Sequence, residues 1–318
     1  LYQPVYEVQG LPGAVYDVIA DEDIYTGDGT AGGKRHGGRN TDYRRGWNCP
    51  ERTLIPGRYR LEERQAPEGM VLDPTPIYTE LTYAGQEVEI TQAAIGLYDE
   101  RQKVEIDLLK SLETDETFGI GLGEEYKDIS FGLYASEDLT ALDGSVIPAG
   151  GLLEVVAVAP VEDAPGQYSA VFASDLPFGS FYVQERTTNE AFVLSDQQYP
   201  VVFAYAGQET ALVTIAVNDG EAISNEMIRG RIDGVKYGED PEGGEDLTLE
   251  RADRPVCSRH GRIYRGKCPA GDDFRGKRSF SFEDVPFGHW IIKEIASFGY
   301  TPSAGTAPCL YRHRWAGR

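Results

Sequence analysis

GRYRLEERQAPEGMVLD (residues 57–73) and GSFYVQERTTNEAFVLSD (residues 179–196) are two versions of one stretch, set 122 positions apart. Side chains on a strand point alternately to its two faces. In the first version Tyr59, Leu61 and Glu63 therefore share a face, and in the second Phe181, Val183 and Glu185 do. A second pair, YAGQE at Tyr83 and again at Tyr205, keeps the same offset. Upstream, ADEDIYTGDGT from Ala20 matches ASEDLTALDGS from Ala135 at an offset of 115, so the second copy carries seven extra residues between the blocks. A third copy opens at Val285 with VPFGHWIIKEIASFGY, aligning Trp290, Ile292 and Glu294. In all three copies the glutamate follows the glycine by six positions.

Between these blocks the chain runs in short alternating stretches, such as residues 104–110, 181–185 and 212–217, broken by Gly, Pro and Asp. Period-two alternation without a long helical period predicts an all-β chain of tandem Greek-key sandwiches, at roughly 100–120 residues per copy. The expected units are 1–99, lacking its first strand, 100–227, complete, and 228–318, lacking its last strand.

With 52 acidic and 30 basic residues, the net charge is -22. No basic field is available for nucleic acid, and no apolar run reaches membrane-spanning length. Four cysteines (Cys49, Cys257, Cys268, Cys309) have neither zinc-site spacing nor the even distribution of a disulfide framework. No cofactor or metal is expected. No nucleophile–base–orienter set points to an enzyme.

Three polar residues lie in line with apolar ones. Val104, Ile106, Leu108 and Lys110 share a face, with Lys103 off it; so do Ile223, Asn225 and Met227. Glu185 completes the set, with Glu63 and Glu294 its equivalents in the other copies. Lys236 repeats Lys110 in line with Ile228 and Ile232. Asp99 precedes Lys110 by 11 positions, as Asn225 precedes Lys236, so it holds the acceptor place of the first copy. A desolvated lysine loses its proton and becomes a nucleophile. A buried acid beside it stays protonated and can polarise an asparagine carboxamide. The expected outcome is an amide joining Lys110 to Asn225 with loss of ammonia. The same three residues could instead form a hydrogen-bonded cluster with no covalent bond.

The E-x-x-A-P-E-G block at Glu63, the F-G-L-Y block at Phe131 and the terminal asparagine followed by a new lysine-bearing strand resemble the collagen-adhesin B-type repeat. SpaA-type pilin domains share its prealbumin-like sandwich. The resemblance implies a Gram-positive, cell-wall-attached adhesin, pilin or stalk, extracellular, with its first strand joined to its last by an isopeptide bond. It implies Lys110 as nucleophile, Glu185 as catalyst and Asn225 as acceptor. The implied partners are a host or neighbouring-cell surface ligand, protein or glycan, and other pilin subunits. The alternative is an accessory carbohydrate-binding sandwich of a secreted enzyme.

Residues 31–54, 251–278 and 298–318 break the pattern. They hold 18 of the 30 basic residues, only 5 of the 52 acidic ones and every cysteine. Either they are inserted basic loops for an acidic ligand, or they are reading-frame slips. The second reading is preferred, because residues 34–54 and 254–270 can both be written in codons whose next frame is acidic and Thr-rich. The encoding DNA decides between them.

Overall fold

The computed structural model describes residues 1–22, 54–88, 91–141, 143–235 and 279–293, with the backbone of short strands inside 24–42, 256–265 and 307–310. It is built of strands, and none of its helices is long and apolar enough to cross a membrane among the described residues.

The middle of the chain is a two-sheet sandwich. Its main strands are β1 (Lys103–Leu112), β2 (Ser130–Ala135), β3 (Leu152–Ala157), β4 (Gln167–Phe172), β5 (Gly179–Thr187), β6 (Gln198–Phe203), β7 (Leu212–Ala216) and β8 (Ile223–Asn225), beside three strands of two residues each. One sheet has the order β3-β2-β5-β6, all antiparallel. The other is organised on β1, which pairs antiparallel with β4 on one side and parallel with β7 and then β8 on the other. The first and last strands of the sandwich are therefore neighbours.

Alternation builds the core as the sequence pattern requires. Val104, Ile106, Leu108 and Lys110 of β1 are buried, while Lys103 and Leu109 are exposed. Facing them from the other sheet are Phe131 and Leu133 of β2, Phe181 and Val183 of β5, and Val201 and Phe203 of β6. Burying a side chain of this size contributes about 1.5–3 kcal/mol, and this cluster is the largest apolar core among the described residues.

On the N-terminal side a second four-stranded sheet has the order Arg39–Asp42, Val15–Ala20, Gly57–Gln65, Ile77–Leu81. It repeats the β3-β2-β5-β6 arrangement, with Tyr16 opposite Glu63 where Phe131 stands opposite Glu185. On the C-terminal side Arg229–Val235 pairs with Ser279–Pro286, and a further four-stranded sheet has the order Arg262–Arg265, Val256–Arg259, His289–Lys293, Ala307–Leu310. Strands thus occur inside all three atypical segments. Trp290 anchors a small apolar cluster there with Ile232, Phe282 and Val285, and meets Phe118 of the middle sandwich edge to face at 5.0 Å.

Candidate functional site

The site follows from the meeting of β1, β5 and β8. Parallel pairing sets Ile223 beside Lys110 and Asn225 beside Leu112. Asn225 is thus the diagonal neighbour of Lys110 on the same, inward face. Glu185 reaches in from β5 on the opposite sheet, one alternation step beyond Val183. All three side chains are withdrawn from water: Lys110 is 0% exposed, Asn225 2% and Glu185 4%.

Lys110 Nζ lies 3.9 Å from Glu185 Oε1, too long for a hydrogen bond. It donates instead to the carbonyls of Ser111 and Ile223, each at 3.0 Å. Asn225 Nδ2 donates to Glu185 Oε1 at 2.8 Å, to Oε2 at 3.0 Å and to Thr188 Oγ1 at 2.9 Å. The Ser195 amide holds Glu185 Oε2 at 3.0 Å. Asn225 Oδ1 is buried and has no hydrogen-bond partner.

Burial lowers the lysine to about 8, against the opposing pull of the Glu185 charge. Burial also raises the Glu185 carboxyl, opposed by the Ser195 amide, the Lys110 charge and the Asn225 amide. Both shifts favour the uncharged forms. A separated ion pair at such depth costs several kcal/mol per ion in lost hydration, so burial pushes the pair towards a neutral amine beside a neutral acid. That combination can do acyl chemistry. The amine attacks the carboxamide carbon, and the acid shares a proton with the carbonyl oxygen and later with the departing nitrogen.

The first sheet carries a related cluster without a lysine among its described residues. Glu63 is 6% exposed, the Asp73 amide donates to its Oε2 at 3.0 Å just as Ser195 does to Glu185, and its Oε1 is buried without a hydrogen-bond partner. Burial raises Glu63 and Asp99, and the Asp73 charge adds to both shifts. Burial and the Glu63 charge raise the Tyr16 hydroxyl as well. The Asp99 charge in turn adds to the rise of Glu63. Lys236 and Glu294 lie outside the described residues, although the strands leading into them are present.

Thr188 and Ser195 were not foreseen from sequence. They lie on the loop after β5, where alternation carries no information, although the copies differ informatively: Ala66 stands where Thr188 does, leaving the first copy no hydroxyl there.

No protein-family model matches the chain, and no curated protein matches it by sequence. Among solved structures it is similar to the Bacillus anthracis TIE protein, at 18% identity and a TM-score of 0.50 over 94% of this chain and 45% of that one. The chain thus spans less than half the length of that structure. Also similar are a C-terminal fragment of the pilus adhesin SpaC from Lactobacillus rhamnosus GG (14% identity, 68% of this chain and 89% of that one, TM-score 0.30) and BcpA, the major pilin subunit of Bacillus cereus (14%, 94% and 90%, TM-score 0.27). At 18% identity the likeness to the Bacillus anthracis protein is one of fold alone, and the chain's own sheets make that fold an all-β sandwich.

Proposed function

We propose that this chain is a structural or adhesive stalk segment of a bacterial cell-surface protein, made of sandwich units 1–99, 100–227 and 228–318. Its middle unit is closed by an autocatalytic amide bond from Lys110 to Asn225. The observation that supports this reading is a fully buried lysine and asparagine from the first and last strands, sharing one glutamate whose carboxyl is raised by burial. Glu185 acts as the proton relay, and the reaction runs once per chain: a C–N bond forms between Nζ and the carboxamide carbon, and ammonia leaves.

The mechanical consequence suits a stalk. Pulling the two ends of the middle unit loads the parallel β1/β8 pair in shear. A bond from Lys110 to Asn225 would carry that load directly from first strand to last, leaving residues 111–224 slack. It would also shrink the unfolded ensemble by roughly 5 kcal/mol on the loop-entropy model, and no reductant could open it. The extracellular, cell-wall-attached setting and a surface ligand or neighbouring subunit as partner belong to the same proposal.

Intact mass of the purified chain tests it. The expected species is one ammonia lighter than the sequence, and it reverts to the full mass in Lys110→Ala and in Glu185→Ala. An unmodified mass in folded wild-type protein overturns the covalent reading.

A further inference from the structure

The two copies of the pentapeptide YAGQE sit in the same loop of successive repeats, and among the described residues only the second is engaged by another repeat. In the copy at Tyr205 the tyrosine and the glutamine grip the preceding repeat. Tyr205 Oη donates to the Met70 carbonyl at 3.1 Å, and Gln208 Oε1 accepts from the Ala66 amide at 3.0 Å. The Gln208 carbonyl accepts from the Leu72 amide at 2.9 Å, and its Nε2 reaches the Arg64 carbonyl at 3.4 Å. These contacts close on one loop of the first repeat, the turn that follows its buried glutamate strand. They read its backbone: an amide at Ala66, a carbonyl four residues on and an amide two beyond that.

The copy at Tyr83 has the same shape before any partner arrives. Gly85 takes a φ of +107° where Gly207 takes +97°. The Val88 amide closes on the Gly85 carbonyl at 3.3 Å where the Thr210 amide closes on Gly207 at 3.2 Å. Its side chains point outward: Tyr83 is 70% exposed, and Gln86 is exposed where Gln208 is partly covered. A solvated tyrosine and glutamine on a turn already set costs little further ordering on binding.

We propose that the loop at residues 83–87 is a docking surface for another sandwich unit of this same repeat type. That unit would present the turn after its own glutamate strand, as residues 66–72 do to Tyr205 and Gln208. The partner is defined by its backbone: a turn with amide donors at positions i and i+6 and a carbonyl at i+4, carrying an apolar residue at i+4. Recognition through main-chain groups makes the surface tolerant of side-chain sequence. It would therefore accept divergent copies of the repeat and reject turns of other geometry. This surface depends on the repeat register and is independent of the Lys110–Asn225 bond.

The test uses the whole chain, nitrogen-labelled, titrated with a cyclised peptide of residues 62–73 and followed by amide chemical shifts. Saturable shifts are expected at residues 83–88, with the Tyr205 loop unmoved because its own turn already fills it. Tyr83→Ala and Gln86→Ala each weaken binding about tenfold, in keeping with loss of one hydrogen bond and its packing. A peptide carrying Ala66→Pro, which removes the amide that glutamine accepts, binds at least as weakly. No shift at residues 83–88 up to several millimolar peptide (roughly the weakest affinity of interest), or shifts that survive the double substitution of Tyr83 and Gln86, would overturn the proposal. Because the bond is read by mass and the docking by shifts, either can fail without the other.

Discussion

Asn225 offers its amide nitrogen to both oxygens of Glu185, at 2.8 and 3.0 Å, while its own Oδ1 is buried with no partner. That arrangement suits a carboxylate. A protonated Glu185 would suit the carboxamide turned by half a revolution, with the acid O–H donating to Oδ1. The turned state satisfies the orphaned oxygen, whose unmet hydrogen bond otherwise costs about 1–3 kcal/mol, and it polarises the carbonyl for attack.

Glu185→Gln keeps the size of the side chain and removes the acidic proton. The variant is expected to fold and to keep the full mass, with Lys110 and Asn225 unjoined, even after days of incubation. Its middle unit should then lose roughly 5 kcal/mol of unfolding free energy relative to the cross-linked protein. Denaturant unfolding beside intact mass checks both; a lighter species in this variant would remove Glu185 from the proton path.

Thr188 positions the carboxamide through its 2.9 Å contact with Asn225 Nδ2. Thr188→Val should slow bond formation about five- to tenfold, the worth of roughly 1 kcal/mol of alignment. Thr188→Ser should restore the rate. Refolding from denaturant with timed mass analysis gives the rate, and equal loss in the serine and valine variants would mean the threonine is only packing.

The pH response of an unbonded protein reports the buried amine. Burial lowers Lys110 from 10.5 to about 8, and Asn225→Ala removes the acceptor, so that this amine stays free to titrate. Below pH 8 the amine is charged in both states and its burial cost is paid in full. Between about 8 and 10.5 only the unfolded chain keeps the proton, so stability rises with pH, by at most about 1.4 kcal/mol per unit. Unfolding free energies across that range, referenced to a Lys110→Met/Asn225→Ala variant, should show the rise. A flat difference would place the lysine in contact with water.

Gln102, 1% exposed, ties the chain between first and middle sheets to the Tyr205 loop. Its Nε2 donates to the Gly207 and Thr210 carbonyls at 3.1 and 2.6 Å, and its Oε1 accepts from the Ala206 amide at 2.9 Å. Gln102→Ala removes the partner of the Thr210 carbonyl and of the Ala206 amide and should cost about 1–3 kcal/mol, measurable as a lowered denaturation midpoint. A change under about 0.5 kcal/mol would mean water replaces the side chain.

Much of this was legible in the sequence, for a reason that also marks the limit. Alternation plus a fixed repeat offset specifies which face each residue of a strand occupies, and so Lys110, Glu185 and Asn225 could be named as inward-facing before any coordinates. Pairing partners are another matter. Nothing local in β1 says that it runs parallel to β7 and β8, and the carbonyls of Ser111 and Ile223 that hold the amine depend on that register. Gln102 sits at the head of a strand, where a polar residue usually turns to solvent; its burial comes from a loop more than a hundred positions away.

The adjacency of β1 and β8 also sets a clock. Lys110 emerges in synthesis more than a hundred residues before Asn225, yet the last strand is what roofs over the amine through the Ile223 carbonyl. Contacts of such sequence separation form late in folding. Until they do, the lysine is hydrated, charged and inert. The proposed chemistry would thus be withheld from incomplete chains and misregistered intermediates, and would become available only when the last strand of the unit has arrived beside the first. A bond made there would be a receipt for finished folding.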